Sequence, residues 1–311
     1  MREIALVSTC HHLGYAQYGR RMITTFDRHW PKDVPLFFYA EDFQPDVLSE
    51  RIVALDLLAS CPDLVAFKDR HRNNRSAHGQ EARGTRVVVR WRKDKEGRRV
   101  LPKIKLTRLL QGIGYRWNAV RFSHKCFAIF DAAVRCEADV LFWLDADVAI
   151  FNDIPRAFLE SLVPPDCLLS FLKRPTCSEC GLVGYNLRHP GIGQFLADFE
   201  ALYTEDRLFK EKEYHDSWLF DVLRKKYERK GCKTFDIGEG VGARTGHVFV
   251  NSSLGQYMDH MKGGRWVNGS SNADDFITPR DELYWRLAPR QAEREDLSAD
   301  AQPSVAPSMQ R

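Results

Sequence analysis

The sequence has 311 residues, of which 44% are hydrophobic, which suffices for a sizeable core and excludes a largely disordered chain. The formal net charge of +4 at pH 7 is a mild excess that does not by itself indicate nucleic-acid binding. No apolar run reaches membrane-spanning length, so we expect a cytoplasmic protein without a transmembrane segment, at most peripheral to a membrane.

The first elements of the chain predict a parallel sheet. Ile4–Thr9 is an apolar run typical of a buried strand, residues 15–29 carry apolar positions at helical spacing, and Leu36–Ala40 indicates a second strand. A strand, a helix and a strand of these lengths form a βαβ unit, in which the two strands are parallel. Thr9 would then lie at the carboxyl end of the first strand, where such sheets bind nucleotides.

A polar, basic segment follows, at about residues 66–105. Between Lys68 and Lys105 there are 14 Lys or Arg residues against four Asp or Glu, a local net charge of +10. Its weak periodicity predicts an insertion or a flexible lid, which could attract an acidic substrate or an anionic membrane surface. A solvated loop without a dedicated partner is an equally good interpretation, and nothing else in the chain supports nucleic-acid binding.

A helix is predicted from Asn118, which can cap its N-terminus, to Arg135. Arg121 and Lys125 share one face of this helix, because residues four apart are neighbours on a helix. The next run, Val140–Leu144, is apolar without alternation, which is typical of a parallel strand buried on both faces.

Two carboxylates, Asp145 and Asp147, end this strand. In extended backbone residues i and i+2 point to the same side, so we expect both side chains to converge on one ion at the ligand-binding edge of the sheet. Hard oxygen ligands with open positions suit Mg²⁺ or Mn²⁺. The alternative is a strand-to-loop turn in which the aspartates cap backbone N–H groups.

The second half of the chain predicts alternating short elements and a late polar loop. The predicted elements are a helix at 155–162, a strand at 168–172, a strand-like run at Glu179–Asn186, a helix at 190–203, a helix opening with His215 and Asp216 and running to about residue 230, a strand at Gly246–Asn251, a loop at 258–266 and a disordered tail from residue 288. Asp216 lies in the first turn of its helix, where a carboxylate is electrostatically favoured even without a catalytic role. In the late loop, His260 could ligate Mn²⁺ beside carboxylates.

The cysteine pattern favours reduced thiols. Eight cysteines are spread through the chain, mostly in apolar runs, which fits buried thiols in a reducing cytosol better than a disulfide framework. Cys177 and Cys180 have the spacing of a metal-binding pair, but no second pair follows them, which leaves structural zinc a minor alternative.

Taken in order, these motifs resemble a known family. Asp145-Ala146-Asp147, the helix opening with His215-Asp216, and the late His260-Met261-Lys262-Gly263 look like GT-A-fold, metal-dependent glycosyltransferases that use nucleotide sugars. The segments Arg121–Lys125, Thr9–Tyr18 and Pro31–Val34 add to the resemblance, which covers about residues 1–60 and 115–270. It implies an α/β, Rossmann-like fold with a mixed, mostly parallel central sheet flanked by helices, in one catalytic domain over residues 1–285.

The resemblance also implies roles for individual residues. Asp145, Asp147 and His260 would hold Mn²⁺ or Mg²⁺, and Asp145 could instead bind the ribose hydroxyls. Asp216 and His215 would face the sugar or the acceptor, and Glu179–Asn186 would line the sugar and acceptor cleft. Contacts to the nucleotide-sugar donor would come from Thr9, Tyr15, Arg121, Lys125, Asp145, Ala146, Lys262 and Gly263. The loop is shorter here than the family's His-x-x-Gly-x-x-Lys pattern, which leaves the phosphate ligands open.

The expected reaction is transfer of a sugar, of the hexosyltransferase type, from a nucleotide-diphosphate donor such as a UDP-sugar to a hydroxyl of a glycan, lipid-linked or protein acceptor. A divalent cation would stabilise the departing phosphate as a Lewis acid, with Lys262 adding positive charge. If Asp216 deprotonates the acceptor the product is inverted, and otherwise a same-face, retaining route applies. The alternatives are a metal-dependent nucleotidyltransferase, disfavoured because Thr9-Cys10-His11-His12 replaces a glycine- and lysine-rich loop, and a non-catalytic polyanion-binding module.

Overall fold

The structure is a computed structural model that describes residues 1–46, 49–93 and 99–287. The predicted tail from residue 288 lies outside the described residues. The strands are β1 (Ile4–His11), β2 (Leu36–Glu41), β3 (Ile52–Asp56), β4 (His78–Lys93), β5 (Arg99–Asn118), β6 (Val140–Leu144), β7 (Val148–Ile150), β8 (Cys167–Leu172), β9 (Glu179–Asn186), β10 (Lys233–Asp236) and β11 (Met258–His260).

Helices connect and flank these strands. The α-helices are α1 (His12–Gly14), α2 (Arg20–His29), α3 (Leu57–Ser60), α4 (Pro62–Arg70), α5 (Ala119–Arg135), α6 (Arg156–Ser161), α7 (Ile192–Thr204), α8 (Asp216–Arg229), α9 (Val248–Asn251), α10 (Arg265–Asn268) and α11 (Leu283–Leu287). Tyr15–Gly19 forms a π-helical turn, and 3₁₀ turns occur at Arg207–Lys210, Val241–Ala243, Ser253–Gln256 and Ala273–Asp275. As predicted, Asn118 caps α5, since its Oδ1 accepts a hydrogen bond from the Arg121 N–H at 2.9 Å.

The central sheet has seven strands in the order β10-β8-β9-β6-β1-β2-β3. Strand β9 runs antiparallel to both of its neighbours, whereas the other neighbouring pairs are parallel. The pair β1 and β2 is parallel, as the predicted βαβ unit requires. The predicted fold class, an α/β protein with a mixed, mostly parallel central sheet flanked by helices, is confirmed.

Each central strand contributes to a core on both faces of the sheet. On β6, Leu141 and Trp143 pack into one apolar cluster with α5, α7 and α8, whereas Phe142 and Leu144 pack into a second cluster with α2 and α6. Successive side chains of a strand point to opposite faces, and here both faces are covered. This double burial is the physical reason why the strand has no hydrophobic alternation in its sequence.

Two further two-stranded sheets lie outside the central one. Strands β7 and β11 are antiparallel, with His260 opposite Val148, and this pairing joins parts of the chain that are far apart in sequence. Strands β4 and β5 form a long antiparallel pair. The sequence predicted the basic segment at 66–105 as an insertion or a flexible lid, with a solvated loop as the alternative. In the structure this segment contains the end of α4 and most of this strand pair.

One predicted strand is wrong. The run at Gly246–Asn251 contains a helical turn, α9, whose residues Val248, Phe249 and Val250 are all buried. A short apolar run shows that a segment is buried, but its length is too small to separate a strand from a helical turn. The predicted loop at 258–266 likewise begins with strand β11 and ends in the turn α10.

Candidate active site

The two aspartates lie in a turn at the carboxyl end of β6. The strand ends at Leu144. The Asp145 N–H then donates a hydrogen bond to the Gly181 carbonyl at 2.9 Å, and the Val148 N–H donates one to the Asp145 carbonyl at 3.1 Å. The carboxylates therefore come together through a turn tied to β9, and not through the extended backbone that the sequence predicted. The convergence itself is present in the structure.

His260 reaches the aspartates because β11 pairs with β7. The Met261 N–H donates to the Asp147 carbonyl at 3.0 Å, which holds the end of β11 against the turn. His260 Nε2 lies 3.2 Å from Asp147 Oδ1 and 3.5 Å from Asp145 Oδ2. One ligand atom from each of these three residues lies within 4.8 Å of the others, which is close enough to share one ion.

The donor set fits a divalent cation. Two carboxylate oxygens and one imidazole nitrogen are ligands that Mn²⁺ accepts, and they leave positions open for a phosphate. Gly181 makes room for this arrangement, since a Cβ built on it would lie 2.5 Å from the His260 ring. Real Cβ atoms do not approach other atoms so closely, so the backbone of β9 can lie against the imidazole only with glycine at this position.

The negative charge around His260 perturbs its titration. Burial by itself would lower the pKa of His260, but Asp147, Asp145 and Glu179 outweigh it and raise the pKa well above its usual value. For Asp145, burial would raise the pKa, but Lys125 and His260 hold it at about 2. Without a cation, the surrounding carboxylates therefore favour the protonated form of the His260 imidazole.

We expect the affinity for Mn²⁺ to rise with pH. A histidine binds a metal only as the neutral imidazole, so Mn²⁺ has to displace the extra proton of His260. At pH values below the raised pKa of His260, the affinity should rise by up to about tenfold per pH unit. Calorimetric titration in two buffers with different ionisation enthalpies measures both the affinity and the proton released. A pH-independent affinity without proton release would exclude His260 as a ligand.

Lys125 binds one of the two aspartates of the proposed metal site and also binds Asp216. Its Nζ donates to Asp145 Oδ1 at 2.9 Å and to the Cys180 carbonyl at 2.6 Å, and it lies 2.8 Å from Asp216 Oδ2. Burial by itself would lower the pKa of Lys125, but Asp145 and Asp216 raise it well above the usual value. The Trp143 indole also donates to Asp145 Oδ1, at 2.6 Å, so Oδ1 is anchored and Oδ2 faces His260.

Two cavities meet at the aspartates. One has a volume of about 550 Å³ and the other of about 800 Å³, and Phe122, Asp145 and Asp147 line both of them. We call the smaller one the strand-end cavity, because Thr9, near the carboxyl end of β1, and Glu41, at the end of β2, line it. We call the larger one the outer cavity.

Most of the predicted donor contacts lie around the strand-end cavity. Its walls include Thr9, Arg121, Lys125 and Ala146, all four of which the sequence predicted for donor binding. The Thr9 hydroxyl donates to the Tyr39 carbonyl at 2.6 Å, which leaves its lone pairs to face a ligand.

Tyr15 is placed differently from the prediction. Its ring is buried against Phe38 and Phe43, with centroid distances of 6.2 and 4.8 Å, and its hydroxyl is bonded to Asp46. Of the described residues that line the two cavities, none is Tyr15. Tyr18 lines the strand-end cavity instead, and burial raises its pKa to about 12.

The remaining residues predicted for metal binding, donor binding or catalysis line the outer cavity, namely His215, Asp216, His260, Lys262 and Gly263. Of the run Glu179–Asn186, which was predicted to line the cleft, Glu179 lines this cavity and the residues after it do not. His215 Nε2 lies 2.9 Å from Glu213 Oε2, and its ring packs between Tyr115 and Phe122. Lys262 does not reach toward the aspartates, because its Nζ donates to Glu179 at 2.5 Å and to the Gly246 carbonyl at 3.1 Å.

Several residues at the site were missed in the sequence. Glu41 lies at the end of β2, where Lys68 binds it at 2.8 Å and His124 at 3.1 Å. Burial by itself would raise the pKa of Glu41, but these two basic partners outweigh it and lower the pKa to about 2. The rule that placed Thr9 at a strand end applies equally to Glu41. Arg174 and Trp218 on the outer cavity carried no comparable signal.

The cysteines do not form disulfides with one another. All eight are free thiols, as predicted. Among the residues that the structure describes, no helix combines the length and the apolarity that crossing a membrane requires.

Comparison with known proteins gives a limited likeness. No protein-family model and no curated protein matches the sequence. Among solved structures, mouse xyloside xylosyltransferase 1 in its apo form is similar over 75% of this chain and 84% of its own, with a TM-score of 0.40 and 12% identity. Two structures of the glycosyltransferase GlyE of Streptococcus pneumoniae TIGR4 match 76% and 77% of this chain, with TM-scores of 0.38 and 0.39 and identities of 10% and 12%. The match spans 46% of the GlyE chain.

Proposed function

We propose that this chain is a metal-dependent glycosyltransferase that moves a sugar from a nucleotide-diphosphate donor, such as a UDP-sugar, to an acceptor hydroxyl. One observation carries the proposal: Asp145, Asp147 and His260 present ligand atoms to one point, and this point lies where two cavities meet. A transferase for two substrates needs this arrangement, with a separate space for each substrate and a shared centre for the reacting groups.

The strand-end cavity suits the nucleotide. It extends from the end of β6, past β1, to the end of β2, and neighbouring strands lie about 4.8 Å apart, so it spans about 10 Å of the sheet edge. A diphosphate at Asp145 and Asp147 would therefore place the ribose near Thr9 and the base near Glu41. When bound, Mn²⁺ or Mg²⁺ would act as a Lewis acid on the diphosphate and stabilise its charge as the sugar departs.

The outer cavity suits the acceptor. It contains Asp216 and His215, the two residues proposed to face the sugar or the acceptor, and Phe122 lies at its border with the strand-end cavity. A glycan, a lipid-linked sugar or a protein side chain could supply the hydroxyl group. Because the ring of His215 is fixed by Glu213 and two aromatic rings, this side chain is well placed to orient an acceptor without moving.

The state of the carboxylates favours retention of configuration. Besides the proposed metal ligands, three carboxylates line the outer cavity in the described part of the chain, and each is bound to a basic group: Asp216 to Lys125, Glu213 to His215, and Glu179 to Lys262. A general base has to be free to accept the acceptor's proton. We propose that an oxygen of the leaving diphosphate accepts this proton instead, which places the attack on the face that the leaving group vacates.

The two alternative functions have less support. A nucleotidyltransferase would use the same metal ligands but would release pyrophosphate from a nucleoside triphosphate. A polyanion-binding module would depend on the basic side chains within residues 82–113, which lie outside those whose side chains the structure describes.

The test is a thermal-shift and calorimetric screen of UDP, GDP, ADP and CDP with and without Mn²⁺. We expect a nucleoside diphosphate to raise the melting temperature only in the presence of the metal, since a ligand that binds the folded state stabilises it by mass action. The corresponding nucleotide sugar should then be hydrolysed or transferred with release of the diphosphate, and NMR of the first product should show retained anomeric configuration. Heparin binding without metal-dependent nucleotide binding would contradict the proposal, and so would release of pyrophosphate from a triphosphate.

A further inference from the structure

Glu179 is a buried carboxylate with three basic neighbours at the edge of the proposed metal site. It is the first residue of β9, and it is 5% exposed. Arg174 Nη1 lies 3.1 Å from its Oε2, and Lys262 Nζ lies 2.5 Å from the same oxygen. The other oxygen, Oε1, lies 3.3 Å from His260 Nδ1. The two cations therefore share one oxygen, and the second oxygen is left for the imidazole.

We propose that Glu179 is a positioning residue for the metal site, which acts by holding His260 through Nδ1 so that Nε2 is free to bind the cation. This inference rests on the proposed function, in that it assumes a cation bound by Asp145, Asp147 and His260. It assigns to Glu179 a role different from lining the sugar and acceptor cleft, because both of its oxygens already face side chains of the protein.

The chemistry of imidazole requires such a partner. A neutral imidazole carries one proton, and if Nε2 binds a cation the proton resides on Nδ1. Histidines that bind metals donate this second N–H to a carboxylate, a carbonyl or water, which fixes the tautomer and the ring orientation. His260 is buried, its Nδ1 has no partner with hydrogen-bond geometry in the described structure, and Glu179 Oε1 is the carboxylate oxygen within reach.

The backbone of β9 supports the same arrangement. Gly181 is two residues beyond Glu179, so both positions face the same side of the strand. The missing side chain of Gly181 leaves the space that the His260 ring occupies, and the Gly181 carbonyl accepts the Asp145 N–H at 2.9 Å. A single strand thus places the carboxylate behind His260 and also fixes the turn that carries Asp145.

The substitution Glu179→Gln tests the proposal, because it keeps the shape of the side chain. The amide oxygen would turn to Arg174 and Lys262, since an NH₂ group facing two cations is unfavourable. The NH₂ group would then face Nδ1 of His260, where it favours the tautomer with the proton on Nε2, which cannot bind metal. We expect the affinity for Mn²⁺, measured by calorimetry, to fall by about 10- to 100-fold.

A double-mutant cycle with His260→Ala separates positioning from general support of the fold. If Glu179 acts through His260, Glu179→Gln has no further effect on Mn²⁺ affinity once the imidazole is absent. An equal loss of affinity with and without His260 would overturn the proposal. Asp206→Asn is the matched control, because Asp206 also binds an arginine and a histidine, Arg70 and His71, but lines neither cavity, and it should leave Mn²⁺ affinity unchanged.

Two further measurements keep the outcome decisive. Glu179→Asp retains the charge for Arg174 and Lys262 but withdraws the oxygen from Nδ1, so it should fold and still bind Mn²⁺ more weakly than the wild-type protein. If the wild-type protein does not bind Mn²⁺, the proposed function fails. If it binds Mn²⁺ and the folded variants at Glu179 bind it equally well, the inference about Glu179 fails while the proposed function stands.

Discussion

Asp147→Ala should abolish metal-dependent sugar transfer. Its carboxylate oxygen lies 3.2 Å from His260 Nε2, and it is one of three ligand atoms at the proposed metal site. Lewis-acid stabilisation of a leaving phosphate contributes several kcal/mol to the transition state. A loss of about 4 kcal/mol corresponds to a fall in kcat of about 10³-fold, since each 1.36 kcal/mol is about tenfold in rate.

The measurement is steady-state release of the nucleoside diphosphate over a range of Mn²⁺ concentrations. Asp166→Ala is the matched control, because Asp166 forms an exposed ion pair with Lys233 and should leave kcat unchanged. The melting temperature of each variant in EDTA verifies that it is folded. Full activity of Asp147→Ala at the wild-type Mn²⁺ requirement would refute the assignment of the metal ligands.

Lys125→Met should destabilise the folded protein more than any substitution of an exposed lysine. The ammonium group is largely buried, with 13% side-chain exposure, and lies 2.9 Å from Asp145 and 2.8 Å from Asp216. Removing one member of a buried ionic cluster leaves the other charges uncompensated, which typically lowers the free energy of unfolding by about 3–5 kcal/mol. Met conserves much of the volume of the side chain, so the loss would come from charge and hydrogen bonds.

Urea denaturation in EDTA measures this effect. Lys233→Met is the control, because its ion pair with Asp166 is exposed and such pairs contribute only about 0–1 kcal/mol. The double substitution Lys125→Met with Asp216→Asn should recover part of the stability, since it removes one of the two uncompensated carboxylates. Equal stability of Lys125→Met and the wild-type protein would show that the contacts of Lys125 contribute nothing to folding.

The sequence predicted the two aspartates of the proposed metal site but not the backbone geometry that brings them together. Asp145 and Asp147 were predicted because an apolar run that ends in two carboxylates is visible in the sequence as a strand meeting a polar edge. Their convergence was predicted for the wrong reason, since a turn tied to Gly181 brings them together. Local rules of side-chain direction apply within a strand, but a hydrogen bond from another strand decided the geometry beyond its end.

Tyr15 shows the same limit. Tyr15 and Tyr18 both belong to the π-helical turn Tyr15–Gly19, but of these two residues Tyr18 alone lines the strand-end cavity. Such a turn adds a residue to the helical repeat and rotates every side chain after it. No feature of the sequence predicted this π-helical turn.

The sequence by itself determined β1, β2, β6, β8 and β9 of the central sheet, but not β3 or β10. It also determined the apolar faces of those strands and the strand ends where ligands are expected, because periodicity and apolarity are properties of single segments. Only the tertiary structure decided that β11 pairs with β7 and brings His260 to Asp147, and that Lys125, Glu179 and Lys262 bind protein carboxylates or amines. These contacts join segments that are distant in the chain. Their geometry depends on how the whole chain packs, and no local pattern records it.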